Sequence, residues 1–249
     1  MGPWRHFYRG AMAAQPGSEP ATAERPLALA TGASRGIGAA VATALQPTHR
    51  LLLGGRDAGA LAARTAKLPG ARAWPVDVTD PAALRAAVAE IERLDVLVHS
   101  AGVAELGTVE EAAPSAWRRN LEVNLLAVVE LTRLLLPALR AARGHVVVIN
   151  SGGGRNARPG WGPYAASKFA VRGFADALRA EEEPNGLRVT SVYPGRTDTE
   201  MQRAVVAGEG GEYDPRRFLR PESVAAAVRT AVLATPDAHL TELILRPTL

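Results

Sequence analysis

Residues 31–38 read TGASRGIG, and this stretch decides the fold. It follows a short apolar run, PLALAT from Pro26, and leads into an alanine-rich segment, so it lies where a strand turns into a helix. Gly32, Gly36 and Gly38 permit a tight turn and let main-chain N–H groups approach a pyrophosphate at the helix N-terminus, where the helix dipole favours an anion. The spacing is Thr-Gly-x-x-x-Gly-x-Gly, a narrower pattern than G-x-G-x-x-G.

Outward from that turn, short β-rich runs alternate with alanine-rich helical stretches, as in a parallel sheet covered by helices on both faces. Besides the run at Pro26, six more start at His49, Ala71, Asp95, Gly144, Leu187 and Thr241, giving seven candidate strands. Several are continuously apolar, as strands buried on both faces must be. Helices are expected from near Gly36, Asp57, Asp80, Pro114, Pro163 and Pro221. Asp57 and Asp80 read as N-caps, and Pro81, Pro163 and Pro221 suit a first helical turn. The predicted class is α/β: a single Rossmann-type doubly wound domain over residues 26–249, with a seven-stranded parallel sheet. Residues 1–25 show no hydrophobic period and read as a disordered tail, and residues 196–222 as the least regular internal segment.

Composition narrows the function. The chain has 249 residues, 47% of them apolar, enough for one large core. It has no cysteine, which removes disulfides, thiol chemistry and thiolate metal sites. The net charge of +4 comes from scattered arginines, unlike a nucleic-acid footprint. The longest apolar stretch, from Leu125, is interrupted by Glu130 and Arg133 and is too short to span a bilayer. No secretory signal is evident at the N-terminus, and a cytoplasmic location is expected.

The second strand ends LLLGGRD, where many NAD-binding chains carry a carboxylate for the adenosine ribose. Gly54, Gly55 and Arg56 offer none there, and Asp57 belongs to the next helix. Arg35 and Arg56 instead supply guanidinium forks suited to a 2′-phosphate, so NADP(H) is expected over NAD(H).

Residues 161–168 read WGPYAASK, placing one of only two lysines four positions after one of only four tyrosines. On a helix starting near Pro163, Tyr164 and Lys168 share a face. A free phenol has a pKa of about 10, too high for efficient proton exchange near neutrality, and a nearby ammonium group favours the phenolate. The fifth strand ends NSGGG, delivering Ser151 to the carboxyl edge of the sheet, where a hydroxyl can polarise a carbonyl oxygen. NSGGG is not a G-x-S-x-G nucleophile elbow, and His99 and His145 lie on strands, where packing is the expected role.

Together these residues resemble the short-chain dehydrogenase/reductase family over nearly all of residues 26–249. Thr31 to Gly38 match its cofactor turn, and Ser151, Tyr164, Lys168 and Asn124 (in NLEVNLL) match its catalytic set. Asp77, in WPVDVTD, matches the acidic residue at the adenine, and Pro194, Gly195 and Thr199 match the turn at the nicotinamide carboxamide. HSAG at residues 99–102 departs from the usual Asn-Asn-Ala-Gly but keeps Ala101 and Gly102, which let the adenosine lie close. The resemblance implies a cofactor site formed by Gly32, Ser34, Arg35, Gly36, Ile37, Gly38, Arg56, Asp77, Val78, Ala101, Gly102, Tyr164, Lys168, Pro194, Gly195, Thr197 and Thr199. It implies that Tyr164 exchanges a proton with the substrate oxygen while Ser151 orients that oxygen. Lys168 is expected to lower the tyrosine pKa and hold the nicotinamide ribose, and Asn124 to anchor a water that links the lysine to solvent. No metal is required. The substrate is a small carbonyl or alcohol compound, and assembly into a homodimer or homotetramer is expected through the helices near 114–142 and 163–183. Two alternatives remain: a noncatalytic NADP(H)-binding regulator, or a reductase of 3-oxoacyl thioesters drawing on Arg155 and Arg158.

Overall fold

The apolar runs become strands because their Val and Leu side chains are buried on alternate faces of one sheet. The computed structural model describes residues 25–248. Its strands are β1 (Leu27–Ala30), β2 (Arg50–Gly55), β3 (Ala71–Pro75), β4 (Val96–His99), β5 (His145–Ile149), β6 (Arg188–Pro194) and β7 (Glu242–Leu245). All seven pair in parallel in the order β3-β2-β1-β4-β5-β6-β7, the expected doubly wound arrangement. The chain winds outward from β1 in one direction and from β4 in the other, which opens a crevice at the carboxyl ends of those two strands.

The strand pleat sorts the core into two layers. On one face, Ala28, Ala30, Leu53 and Val98 pack with α1 (Gly36–Leu45), α2 (Ala58–Thr65) and α8 (Pro221–Val232) through Val41, Leu61 and Val228. On the other, Leu29, Leu97 and Val148 pack with α3 (Pro81–Val88), α5 (Ala127–Ala142) and α6 (Gly162–Glu182) through Leu84, Leu135 and Val171. Fully burying each such side chain stabilises the fold by about 1.5–3 kcal/mol before entropy is counted.

Helix starts follow the expected chemistry. The Asp57 carboxylate accepts from the Ala60 N–H, and Asp80 accepts from Ala82 and Ala83. Two segments differ from expectation. The helical stretch near 114–142 is interrupted: α4 (Pro114–Leu121) passes through a single π-helical turn at Glu122–Leu126 before α5 begins. That turn widens the helix around Asn124, which is buried. The second difference is a nine-residue helix, α7 (Glu200–Gly208), inside the segment read as irregular, capped by the Thr199 hydroxyl at the Gln202 N–H. Its apolar face, with Val205 and Val206 buried, is as well marked as that of most other helices, but the helix is short and runs straight into the glycine-rich AGEGGE. The tail expected over residues 1–25 lies outside the described residues except for Arg25, as does Leu249. Among the described residues, no helix is long and apolar enough to cross a membrane.

Thr31, at the end of β1, joins the two halves of the sheet. Its N–H donates to Val98 O at 2.9 Å, and its hydroxyl oxygen accepts from the Ser100 and Ala101 N–H groups, both at 3.1 Å. Thr31→Val removes that acceptor and keeps the shape, so it is expected to lower unfolding free energy by about 1–3 kcal/mol in urea titration. An unchanged midpoint would show that water replaces the hydroxyl.

Candidate active site

The glycine turn meets the carboxyl end of β4 at close range. Gly32 has φ +65°, and a Cβ there would lie 2.9 Å from the Ala101 backbone, so only glycine fits. Gly36, at φ +56°, faces Thr199, whose Cγ2 would stand 3.3 Å from an added Cβ. The turn thus sits between β4 on one side and the start of α7 on the other. Between them lies a cleft of about 610 Å³, lined by Gly32, Ser34, Arg35, Gly36, Ile37 and Gly38 from the turn. Arg56, Asp77, Val78, Ala101, Gly102, Tyr164, Lys168 and Thr199 complete the predicted part of its wall.

These residues converge from six separate chain segments on a long cleft at the carboxyl ends of β1 and β4, where the glycine turn is packed tightly against the Ala101 backbone, and its length fits an extended dinucleotide. Pro194, Gly195 and Thr197 are not brought to this wall. Gly195 lies against Pro247, and the Thr197 hydroxyl donates to Gly195 O at 3.0 Å. Asp77 is held below the usual carboxylate range: burial pushes it up, but the Thr79 N–H and hydroxyl, at 2.9 and 2.7 Å, outweigh that, helped by Arg56 and Arg119.

At the other end of the cleft stand the proton-bearing groups. Tyr164 and Lys168 are adjacent on α6 and only 8% and 6% exposed. The Lys168 ammonium donates to Ile149 O at 3.1 Å and lies 5.8 Å from the centre of the tyrosine ring. Trp161 packs edge-on against that ring at 5.7 Å. Burial lowers the Lys168 pKa to about 8, and burial raises the Tyr164 phenol, partly offset by a hydrogen bond with Ser151. In the protein alone, burial is the largest influence on the phenol and the net direction is upward. The same dry surroundings disfavour the charged form of both groups.

Asn124 frames this pair from behind. Its side-chain oxygen accepts from the Val103 N–H at 2.9 Å, and its amide donates to Val103 O and to the Ser167 hydroxyl, both at 3.0 Å. Ser167 in turn donates to Tyr164 O at 2.7 Å, so one buried side chain links α5's approach, the β4 exit loop and α6. Ser151 adopts an extended conformation after β5, and its oxygen accepts from the Gly153 N–H at 3.0 Å.

Sequence reasoning missed several contributors. Asn150 accepts from the Ser151 N–H at 2.8 Å and donates to Lys168 O at 3.1 Å, fixing the serine relative to α6. Asn120, fully buried one turn before Asn124, donates to Glu105 O at 2.9 Å and Ala116 O at 2.8 Å. The repeated asparagine in NLEVN was the available signal for it. Arg119 and Glu200 also line the cleft and had no local signature. The two strand histidines are structural, as expected: His99 meets the Thr132 hydroxyl at 2.8 Å and His145 that of Thr190 at 2.7 Å. Burial lowers both pKa values to about 3, so both rings are neutral. Arg155 is engaged by Glu242 and lies over the Tyr193 ring, while Arg158 is exposed.

Comparison with known proteins agrees with this geometry. The short chain dehydrogenase family matches residues 26–210. The chain is 36% identical over 235 residues to the glycine betaine reductase ATRR of Emericella nidulans, covering 89% of this chain but 18% of that protein. It is 36% identical over 199 residues to dehydrogenase/reductase SDR family member 7B of Bos taurus, covering 74% of this chain and 61% of that protein. The chain therefore spans less than two thirds of the length of these curated relatives. Among solved structures, an alcohol dehydrogenase from the archaeon Thermococcus sibiricus, complexed with 5-hydroxy-NADP, superposes with a TM-score of 0.82 at 27% identity, covering 90% of this chain and 97% of that one.

The burial of Lys168 has a consequence for stability. Its folded pKa, about 8, lies below the unfolded 10.5, so the unfolded chain binds more protons between those values and stability rises with pH across that window. Below pH 8 the full cost of burying the ammonium, ~3 kcal/mol, is present. Lys168→Met is expected to raise the thermal midpoint at pH 7 by ~6–12 °C, with the gap closing towards pH 10.5. Equal or lower midpoints for the variant at pH 7 would contradict this reading.

Proposed function

The chain belongs to the short-chain dehydrogenase/reductase family, and from that premise we propose that it is an NADP(H)-dependent oxidoreductase interconverting a carbonyl and a secondary alcohol. The observation that carries this reading is the buried Tyr164–Lys168 pair, framed by Asn124, at one end of a cleft whose other end is the glycine turn. When bound, the cofactor supplies or accepts the hydride.

The chain's own residues do the rest. Main-chain N–H groups of the turn from Gly32 to Gly38 hold the pyrophosphate, with Arg35 and Arg56 at the 2′-phosphate. Asp77 and Val78 take the adenine end, Ala101 and Gly102 leave room for the adenosine, and Lys168 takes the nicotinamide ribose. Pro194, Gly195 and Thr199 are assigned to the carboxamide and Thr197 to the cofactor by the resemblance, and of the four only Thr199 lines the cleft. Tyr164 donates its phenolic proton to the carbonyl oxygen in reduction and takes the alcohol proton in oxidation. Its raised pKa keeps it protonated at neutral pH, the form that reduction needs. Ser151 orients the reacting oxygen, and Asn124 keeps α6 and the β4 exit loop in register.

For the 3-oxoacyl thioester alternative, Arg155 is paired with Glu242 and would have to leave it to meet an anionic substrate, while Arg158 is exposed. The full set of proton-bearing groups speaks against a noncatalytic regulator. Self-association through the faces carrying exposed Leu126 and Phe169, and a cytoplasmic location, belong to the same proposal.

The test is NADPH oxidation followed by absorbance with 3-oxoacyl thioesters, cyclic ketones, diketones and aldehydes, beside Tyr164→Phe. Turnover is expected to fall at least ~100-fold in the variant while NADPH affinity stays nearly the same. NADPH is expected to bind more tightly than NADH. A fully active variant would overturn the assignment of Tyr164, and equal affinity for the two cofactors would overturn the preference.

A further inference from the structure

One of the two guanidinium groups assigned to the 2′-phosphate already has an anionic partner. Arg35 Nη1 lies 2.7 Å from Glu200 Oε2, joining the glycine turn to the first turn of α7. Both side chains line the cleft, and they are 71% and 65% exposed, free to separate without opening the core. Glu200 forms no other ion pair among the described residues, and its neighbour Arg203 pairs with Asp198, which also accepts from the Tyr213 hydroxyl; Arg64, Glu222 and Arg229, which share the adjoining hollow, form no ion pair among the described residues. Arg56, by contrast, makes no ion pair among the described residues and is exposed. The position of Glu200 is fixed by main chain. Thr199 caps α7 at the Gln202 N–H and packs its methyl towards Gly36, which sets the carboxylate beside the turn.

A carboxylate and a phosphate make the same kind of contact with a guanidinium fork, so only one of them occupies it well at a time. We propose that Glu200 is a specificity-determining residue: an internal competitor for Arg35 that sets the affinity of the site for the 2′-phosphate. The inference rests on the NADP(H) reading above. An exposed ion pair is worth up to about 1 kcal/mol, so removing it tightens a 2′-phosphate ligand by about two- to five-fold and no more. Because the pair is screened by salt, the effect is largest at low ionic strength.

The experiment is calorimetric titration of the cofactor-free protein with 2′,5′-ADP and with 5′-ADP at low salt, for wild type, Glu200→Gln and Glu200→Ala. The expected result is that both variants bind 2′,5′-ADP two- to five-fold more tightly than wild type does, with 5′-ADP affinity unchanged. Unchanged or weaker 2′,5′-ADP binding in the variants, with wild type still preferring 2′,5′-ADP, overturns the inference and leaves the NADP(H) reading standing. An equal gain for both nucleotides overturns it too, because that is the effect of removing a nearby negative charge and not of freeing Arg35. No preference for 2′,5′-ADP in any of the three proteins overturns both. Thermal melts of the variants verify folding, and the 5′-ADP titration verifies an intact cleft.

Discussion

Two ionisable side chains, Tyr164 and Lys168, have been taken out of water side by side, and the surrounding structure is arranged to tolerate it. Burial without partners would cost several kcal/mol per polar group. The protein meets that cost with donors and acceptors at fixed places: Ile149 O for the ammonium, and Asn150, Ser167 and Asn124 for the main chain around it. Ile149 and Asn150 come from the end of β5, Ser167 from α6 itself and Asn124 from the turn between α4 and α5, where it also holds Val103 of the β4 exit loop, so the site exists only when these segments are docked together. Folding and the assembly of the proton-bearing site are thereby the same event. The π-helical turn at Glu122–Leu126 belongs to this constraint, since it carries Asn124 into the junction of these elements.

The cleft inherits its shape from the sheet. Outward winding from β1 and β4 leaves the crevice, and Thr31 holds its two lips together through the Ser100 and Ala101 N–H groups. Gly32 then runs against Ala101 too closely for any side chain, leaving main chain as the surface offered to a ligand. The wall formed by α7 is different in kind. It buries Gln202, Val205 and Val206 and is attached at its ends by Arg35–Glu200 and Arg196–Glu209. Exposed ion pairs hold weakly, so α7 is the part of the site most responsive to ligand charge and salt.

The seven strands, the glycine turn and the pairing of Tyr164 with Lys168 on one helix face were legible in the sequence because they depend on local features: continuous apolar runs, glycine spacing, and a four-residue step. The caps at Asp57 and Asp80 were legible for the same reason. What escaped was set by contacts between distant segments. α7 is short and lies between the polar RTDTE and the glycine-rich AGEGGE, and the break between α4 and α5 coincides with the buried contacts of Asn124, with no Gly or Pro at the break. Asn120, Asn150 and Glu200 look like ordinary polar residues until Glu105, Lys168 and Arg35 are placed against them. The burial of Tyr164 and Lys168 was hidden for a related reason: helical spacing brings the two side chains near each other but does not say how dry the pair is.

The most direct test of this account is the pKa of Tyr164, read by NMR of protein carrying ring-labelled tyrosine and assigned against Tyr164→Phe. The account predicts titration above the ordinary value of 10 in the cofactor-free protein, because burial dominates, and a fall on adding NADP+, whose nicotinamide ring carries a positive charge. A phenol titrating below 10 without cofactor would mean that Lys168 already stabilises the phenolate. That result would contradict the claim that burial governs the resting state of this pair.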